Sequence, residues 1–274
     1  MRLLIKPTTF DILDMQKGQN PYVEPQSRLS KKALKQHSAL FENVKDAVVY
    51  EINGNPTLPD LVFVANGGFR LWGIPLVILP TMKYQQRKDE LPYLRGIFKD
   101  IGINTIDFPS SEPFEGQAEA KWFHEGKLLV CGYGHRSTKK SFKVLDRMLK
   151  TIYEANGVAA PKLLVLPLES ADYYHLDVAM LEFGDSCIVH KRAFSPASIR
   201  KLKAALGDSN VHVIDTRDSF CLNAVVQGNE LLTHKVTDDL RKELEDITGL
   251  KVVQNDTSAF EKSGGSVRCM ILDL

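Results

Sequence analysis

The sequence lacks the features that mark several protein classes. No segment approaches the roughly eighteen consecutive apolar residues typical of a membrane-spanning helix. The first ten residues, MRLLIKPTTF, contain only a short apolar stretch, so we expect no secretory signal peptide. No basic run exceeds a few residues and the formal net charge is +1, which argues against a nucleic-acid-binding surface. We therefore expect neither a membrane nor a nucleic acid as a partner.

Cysteine is scarce and widely spaced. The four cysteines, Cys131, Cys187, Cys221 and Cys269, form no C-x-x-C pair. This spacing argues against both a disulfide framework and a zinc site. A reducing cytoplasm is the simplest location for such a chain, and it leaves a free cysteine available for chemistry.

The composition is that of an ordinary globular protein, and its apolar segments repeat in a fixed order. Of the 274 residues, 43% are apolar and 25% are charged, enough for one large domain or two small ones. Pairs of strand-like stretches, each followed by an amphipathic helix and a further short strand, occur four times in the following stretches: LVFVAN to NTIDF, AEAKWF to KLLVLPL, HLDVAMLEF to VHVID, and NAVV to KVVQN. The predicted helices of the first two copies are RKDELPYLRGIFKDIG, residues 87–102, and KKSFKVLDRMLKTIYEA, residues 139–155. The pattern is therefore ββαβ.

The fifth copy of this pattern is divided between the two ends of the chain. VRCMILDL closes the sequence, while MRLLIKP, the helical stretch SKKALKQHSALFENV and AVVYEI open it. Pairing the terminal strands would complete the unit and would remove exposed strand edges. Repetition on this scale predicts a ring of five ββαβ units, the alternative being an ordinary open α/β sheet.

A cysteine near the C-terminus has the neighbours expected of a reactive thiol. In KSGGSVRCM, Cys269 follows Arg268 and a pair of glycines. Glycines let the backbone approach a ligand closely, and a nearby cation favours thiolate over thiol. A histidine within reach would activate this thiol, and a third group would orient the histidine.

His175 and Asp177 are candidates for that machinery. They lie two residues apart in YYHLDV, which we interpret as a strand, so both side chains would point into one space. The alternative is a hydrogen-bonded pair in the interior of a barrel.

Further polar residues occupy equivalent points of other copies. Glu115 and Glu119 lie in FEGQAE, where the alternative is a solvated loop. Asp60 and Asn66 flank the apolar stretch LVFVA, where the alternative is turn chemistry at both ends. Asn223 lies at the corresponding point of the fourth copy. Such an excess of acids fits a cationic substrate, since planar guanidinium binds carboxylates in a bidentate manner.

Taken together, these segments resemble a known family. PDLVFVANGG, FEGQAEA, CGYGHRS, YYHLDVAMLEF, FCLNAVVQGN and KSGGSVRCM occur in the order found in the guanidine-modifying, or amidinotransferase, superfamily, and they span essentially the whole chain. This family includes arginine deiminases, arginine dihydrolases, dimethylargininases and glycine amidinotransferases. The resemblance implies an α/β five-bladed propeller (pentein) of ββαβ repeats with pseudo-fivefold symmetry. It also implies a single guanidine-modifying catalytic domain over residues 1–274.

The resemblance implies a catalytic role for three residues. Cys269 matches the family's nucleophile, which attacks the central guanidinium carbon and forms a covalent amidino intermediate. His175 matches the general acid–base, and Glu115 matches the carboxylate that orients this histidine. No metal or organic cofactor is implied.

Other residues match the substrate pocket of the family. Asp177 resembles the carboxylate that grips the guanidinium, and Asp60 is expected to line the same pocket. Arg136 resembles the arginine that holds the substrate's α-carboxylate. Arg87 is a second candidate for that role, the alternative being a plain charge on a helix surface. Asn20 lies in TTFDIL…NPYV, which resembles the substrate-lid segment of dihydrolase-like members or is merely a loop.

Two positions depart from the usual family pattern. Asn66 stands where deiminases and dimethylargininases usually have an acid, and it is similar here to the arginine dihydrolases, which release both amidino nitrogens and leave ornithine. The family usually has an aspartate two or three residues after the glycine that follows Glu115. Glu119 takes that place here, and its longer side chain leaves its role in substrate binding open. The aspartate in His175-Leu176-Asp177 is not typical of dimethylargininases. This difference favours an unmethylated guanidine as the substrate.

The sequence thus predicts a hydrolase that cleaves guanidinium C–N bonds of arginine or a close derivative. Two alternatives remain: an amidinotransferase, which passes the amidino group to an amine, and a non-catalytic arginine-binding protein. A homo-oligomer is compatible with the family resemblance, although no sequence feature establishes one.

Overall fold

The described part of the protein contains five small sheets of three strands each. The structure is a computed structural model that describes residues 1–25, 27–52 and 57–274. The first sheet has the order β15-β1-β2, and the other four have three successive strands each. The strands are β1 Arg2–Ile5, β2 Ala47–Tyr50, β3 Phe69–Arg70, β4 Val77–Leu79, β5 Thr105–Asp107, β6 Ala120–Phe123, β7 Leu128–Tyr133, β8 Lys162–Pro167, β9 Met180–Phe183, β10 Ser186–His190, β11 Val211–Ile214, β12 Val225–Gln227, β13 Glu230–His234, β14 Lys251–Asn255 and β15 Leu272–Asp273.

Every sheet has the same internal pairing. The first two strands of each unit pair antiparallel and the second pairs parallel with the third, as in β6-β7-β8. The terminal strands follow the same rule, because β15 pairs antiparallel with β1 and β1 pairs parallel with β2. The predicted ββαβ repeat and the union of the two ends of the chain are therefore confirmed.

Helices connect the second and third strands of each unit, and two short helices precede the first strand of a unit. Among the described residues, the connecting helices are α1 Ser30–Asn43, α2 Gln85–Lys88, α3 Leu91–Asp100, α4 Lys139–Ala155, α6 Pro196–Leu206 and α7 Asp238–Thr248, and the short ones are α5 Leu176–Ala179 before β9 and α8 Ser258–Glu261 before β15. Helix α4 has the predicted bounds: the Thr138 side chain accepts a hydrogen bond from Ser141 N at its start. Its buried residues Phe142, Leu145 and Leu149 recur at helical spacing and pack into the core. None of the helices in the described ranges is long and apolar enough to cross a membrane.

The apolar core consists of clusters that join consecutive sheets. One cluster contains Val130 of β7 and Val189 of β10, and another contains Ile188 of β10 and Leu231 of β13. The remaining clusters join the fifth sheet to the first, the first to the second, and the second to the third. The fifth sheet therefore packs on the first, just as each sheet packs on the next.

Three stretches that we interpreted as strands begin with helical turns, so the strand interpretation is wrong for those residues. Residues 61–66 lie in 3-10 helices Pro59–Val62 and Val64–Gly67, and the strand β3 starts only afterwards. Leu176–Ala179 forms α5 before β9, and Arg268–Met270 forms a 3-10 helix before β15. The predicted helix over residues 87–102 is divided into α2 and α3, with Pro92 in the first turn of α3.

A buried histidine at the end of β13 makes the stability of the fold depend on pH. His234 Nε2 lies 2.9 Å from Asp218 Oδ1, and its Nδ1 lies 3.2 Å from Glu261 Oε1. Burial alone would lower the pKa of His234, but the contacts with Asp218 and Glu261 raise it to about 9. Because the folded pKa exceeds the unfolded value, this contribution is complete below about pH 6.5 and is lost as the pH rises through 9.

We expect His234→Gln to reduce the free energy of unfolding by about 2–3 kcal/mol at pH 6. The reduction should shrink to less than about 1 kcal/mol at pH 10, because the native histidine is then neutral as well. Urea unfolding of both proteins at the two pH values measures this difference. His212→Gln, on a partly exposed position of β11, is the control. An equal loss at both pH values would contradict the proposed charge interaction.

Candidate active site

The candidate residues come from equivalent positions in the five units. In each unit a short helical or turn segment lies just before the strand that begins the sheet, as 3-10 helix Gly116–Glu119 does before β6. Asn66, Glu115, His175, Asn223 and Cys269 all lie in or next to these segments. The repeat therefore brings together residues that are far apart in the sequence.

A small cavity collects most of these side chains. The residues that line it are Gln19, Asn20, Asp60, Phe63, Asn66, Arg87, Arg136, Tyr174, His175, Ser263 and Cys269. Seven of these, all but Gln19, Phe63, Tyr174 and Ser263, are candidates that the sequence analysis named. Glu115, Glu119 and Asp177 do not line the cavity, and they are fully buried behind it.

Cys269 is held between an amide and a carboxylate. Its Sγ accepts a hydrogen bond from Asn223 Nδ2 at 3.1 Å and donates to Asp177 Oδ2 at 3.7 Å. Burial and the nearby Asp177 carboxylate raise the pKa of the Cys269 thiol far above its usual range. The thiol is therefore protonated in the unliganded site.

Glu115 contacts the candidate general acid–base directly. Its Oε2 lies 2.7 Å from His175 Nε2 and accepts a hydrogen bond from Arg136 Nη1 at 2.9 Å. Burial alone would raise the pKa of Glu115, but the Arg136 guanidinium and the contact with His175 hold it well below its usual range. Burial lowers the pKa of His175 despite this carboxylate. Glu115 is thus charged and His175 neutral at neutral pH. The solvated-loop alternative for Glu115 is wrong, since its side chain is 0% exposed.

His175 and Asp177 reach the site by a different local structure from the predicted strand. His175 is the extended residue just before α5, and Asp177 lies in the first turn of that helix. His175 contacts Glu115, whereas Asp177 contacts Cys269. The strand interpretation is therefore wrong for these residues, although both side chains belong to the same site.

Asn66 and Glu119 also surround the histidine. Asn66 Nδ2 lies 3.2 Å from His175 Nε2 and 3.3 Å from Glu115 Oε2. Glu119 lies farther away, with Oε1 4.0 Å from His175 Nε2. Its two oxygens accept hydrogen bonds from Ser137 N and Leu176 N, so its contacts in this structure are with the backbone.

Two buried carboxyl groups on the Cys269 side of the site form no salt bridge with a lysine or arginine among the described residues. Asp60 Oδ1 accepts hydrogen bonds from Gln16 Nε2 at 2.7 Å and from Ser263 Oγ at 3.2 Å. Asp177 Oδ1 is buried and has no hydrogen-bond partner among the described residues. Burial raises the pKa of both aspartates. A bound cation would reverse that effect, because it favours the charged form of each carboxyl group.

Both candidate arginines are buried beside the cavity. Arg136 stacks on the rings of Tyr84 and Tyr174, each 4.9 Å from its guanidinium carbon, and it donates to Gln19 O. Arg87 lies in α2, 2.8 Å from Glu90 Oε1, so the interpretation of Arg87 as a surface charge is wrong. Both arginines present positive charge to the cavity that also contains Asp60.

The segment from Gln16 to Tyr22 covers the cavity. Asn20 Nδ2 donates to Ser263 O at 3.0 Å, and Tyr22 OH donates to Asp172 O at 2.9 Å. Gln16 is 1% exposed and joins this segment to Asp60. These contacts give Asn20 the position that a lid residue would have.

Sequence reasoning missed several residues of the site. Tyr174 and Ser263 line the cavity, and Gln16 donates a hydrogen bond to Asp60. The segments around these three residues resemble the family, but no feature of the sequence identified the residues themselves. Asn223 was noted for its place in the repeat, without a role. Its contacts with Cys269 could have been found only by aligning the repeats in space.

A larger cavity lies elsewhere among the described residues. Strands of all five sheets line it, through residues such as Arg2, Arg70, Lys121, Glu182 and Gln227. Neither cysteine nor histidine is among its lining residues, so it lacks the thiol and the imidazole of the small cavity. Residues 1–25, 27–52 and 57–274 contain no cluster of three or more side chains suited to a metal ion.

Solved structures with the same fold include an arginine dihydrolase. The N-terminal domain of ArgZ, covalently bound to a reaction intermediate, superposes with a TM-score of 0.85 at 25% identity, covering 99% of this chain and 96% of that one. A dimethylarginine dimethylaminohydrolase adduct with S-methyl-L-thiocitrulline shares the fold, with a TM-score of 0.75 at 17% identity.

Curated relatives of similar sequence include an arginine dihydrolase and a dimethylarginine dimethylaminohydrolase. The bifunctional arginine dihydrolase/ornithine cyclodeaminase ArgZ of Synechocystis sp. is 27% identical over 99% of this chain, which spans only 37% of that protein. The N(G),N(G)-dimethylarginine dimethylaminohydrolase of Mycobacterium tuberculosis is 28% identical over 79% of this chain and 67% of its own length. A family model matches residues 7–274, and the chain therefore belongs to the family described as N,N dimethylarginine dimethylhydrolase, eukaryotic.

Proposed function

We propose that this chain is a cysteine-dependent hydrolase of the guanidino group of arginine or a close derivative. The observation that carries the proposal is the meeting of Cys269, His175 and Asp60 at one small cavity, with Glu115 and Asp177 directly behind them. This set supplies a nucleophile, an acid–base with its orienting carboxylate, and two acids for a cation. Residues 1–274 would form one catalytic domain.

The carboxyl groups would bind the guanidinium beside the thiol. Asp177 Oδ1 is buried and has no hydrogen-bond partner in the part of the chain that the structure describes, while its Oδ2 already faces Cys269 Sγ. A guanidinium N–H on Asp177 would satisfy this oxygen and place the guanidinium carbon near the sulfur. Arg136 and Arg87 would attract the α-carboxylate at the other end of the substrate. Asn20 would help to close the cavity over it.

The reaction would begin with transfer of the Cys269 proton to His175. The thiolate attacks the guanidinium carbon and forms an S–C bond, and His175 then returns the proton to the nitrogen whose C–N bond breaks. The products of this half-reaction are ammonia or an amine and a covalent amidino-thioether on Cys269. A water deprotonated by His175 then attacks the same carbon, and the C–S bond breaks to regenerate the thiolate.

Asn66 favours arginine dihydrolase over deiminase as the outcome. Its Nδ2 lies 3.2 Å from His175 Nε2, so Asn66 adjoins the group that activates water. A dihydrolase runs the cycle twice: the first passage releases one ammonia and leaves a ureido group, and a second attack by Cys269 on the ureido carbon releases the second ammonia. Water then breaks the new C–S bond, and the resulting carbamate breaks down to ornithine and carbon dioxide. Arginine and two waters thus give ornithine, two ammonia and carbon dioxide. The dihydrolase names of the relatives and the asparagine at this position support the same choice.

The five sheets would form a closed five-bladed propeller. Support comes from the cavity that strands of all five sheets line and from the packing of the fifth sheet on the first. A reducing compartment such as the cytoplasm suits the free thiols of all four cysteines. A homo-oligomer is neither required nor opposed by these features.

Incubation with arginine, and separately with asymmetric dimethylarginine, tests the function. We expect ornithine with two ammonia per arginine consumed and little turnover of dimethylarginine. Citrulline with one ammonia would instead indicate a deiminase, and dimethylamine would indicate a dimethylargininase. Transfer of labelled amidine from arginine to glycine would indicate an amidinotransferase. Binding of arginine with no product from either substrate would contradict the enzymatic proposal.

A further inference from the structure

The Asn223 side chain forms two hydrogen bonds with Cys269. Its Nδ2 donates to Cys269 Sγ at 3.1 Å, and its Oδ1 accepts from Cys269 N at 3.2 Å. The side chain is 0% exposed and comes from the turn before β12, while Cys269 lies before β15. Asn223 therefore contacts both the backbone and the reacting atom of the nucleophile.

The orientation of this amide is determined by its partners. Cys269 N is a donor, so the atom of Asn223 that meets it must be the carbonyl oxygen. Nδ2 also donates to Asp177 O at 3.2 Å, which requires an N–H there. The backbone of Asn223 is held as well, since its N donates to Phe220 O and its O accepts from Arg268 N. The N–H that faces Sγ is consequently fixed before any substrate binds.

Two neighbours of Sγ have opposite effects on its charge. A fixed N–H donor favours the thiolate, whereas the Asp177 carboxylate favours the thiol. The other ionisable groups around the sulfur are Tyr174, His175, Asp60, Arg87, Arg136 and the adjacent Arg268. A guanidinium bound to Asp177 would cancel the effect of the carboxylate and leave that of the amide.

We propose that Asn223 is a catalytic residue whose side-chain N–H stabilises the Cys269 thiolate at the moment when a guanidinium substrate neutralises Asp177. The same N–H stabilises the sulfur again when it leaves the carbon in the second half-reaction. This inference rests on the proposed function, and it adds a fourth residue to the catalytic set. The substrate class remains a guanidinium compound.

Exchanging amide and carboxylate on the two sides of the sulfur tests the proposal. Asn223→Asp keeps the oxygen that accepts from Cys269 N but removes the N–H that faces Sγ. Asp177→Asn removes the carboxylate from the opposite side. Asn223→Leu is an uncharged second variant, and thermal unfolding establishes that each protein is folded. The readout is the rate of Cys269 carbamidomethylation by iodoacetamide at a fixed pH, followed by mass spectrometry of its peptide.

We expect Asn223→Asp and Asn223→Leu to slow this labelling and Asp177→Asn to accelerate it. A rise of one pKa unit lowers the thiolate population about tenfold but increases its nucleophilicity, so the net change is about threefold. The kcat for the guanidine substrate should fall about 10- to 100-fold in both Asn223 variants, as expected for loss of a hydrogen bond to a charged group.

Unchanged labelling in folded Asn223 variants would overturn the inference, even if kcat fell, because a structural role would then suffice. A change of the labelling rate in the same direction in all three variants would overturn it too, since it would reflect altered access. Failure of the proposed function is a separate result: the unmodified protein would form no guanidine-derived product, whereas the labelling needs no substrate.

Discussion

Cys269→Ser is expected to abolish product formation from arginine, with a loss of at least about 10⁴-fold in kcat. Serine keeps the size and position of the side chain, and its hydroxyl still meets Asn223 and Asp177. Its proton is far harder to remove than that of a thiol, however, and the neutral His175 is a weak base. Substrate binding should therefore survive while the covalent step fails. Product analysis and calorimetric arginine binding measure the two effects separately.

A second cysteine–histidine pair provides a matched control. Cys221 Sγ lies 3.7 Å from His190 Nε2 and is completely buried, but Cys221 does not line the small cavity. Cys221→Ser should therefore keep kcat within a few-fold of that of the unmodified protein. Full activity in Cys269→Ser, with loss of activity in Cys221→Ser, would mean that Cys221 and not Cys269 is the nucleophile.

The predicted and observed structures differ mainly in the short segments that precede the sheets. Helix α4 was predictable because Phe142, Leu145 and Leu149 repeat at helical spacing after a Thr138 cap. Residues 176–179 were not, because the four-residue stretch LDVA is too short for its pattern to distinguish a strand from a buried helical turn. Tertiary packing decided the outcome, and with it the direction in which Asp177 points.

The hydrogen bonds between the residues of the site could not be predicted from the sequence. The resemblance to a family identified Cys269, His175 and Glu115, but it gave no distances. The hydrogen bonds from Asn223 to Cys269 and from Gln16 to Asp60 join residues 46 and 44 positions apart. Such contacts depend on how the five units pack on one another, which no local pattern records.

Glu115→Gln and His175→Gln are expected to lose similar activity but different amounts of stability. Each variant removes one half of the acid–base pair, and kcat should fall about 10²- to 10⁴-fold. Glu115→Gln also leaves the buried Arg136 without its carboxylate partner, where the two side chains are only 3% and 0% exposed. Breaking a buried ion pair from one side reduces the free energy of unfolding by about 3–5 kcal/mol.

His175→Gln lacks this penalty because glutamine can still donate an N–H to Glu115 while Arg136 keeps its ion pair. Its free energy of unfolding should stay within about 1.5 kcal/mol of the unmodified value. Urea unfolding at pH 7 distinguishes the two variants, and kcat measurements at the same pH compare their activities. Equal stability would mean that Gln19 O and the stacked tyrosines suffice to hold Arg136 in place. In that case the charge of Glu115 would act on His175 alone, and the ion pair between Glu115 and Arg136 would not contribute to the stability of the fold.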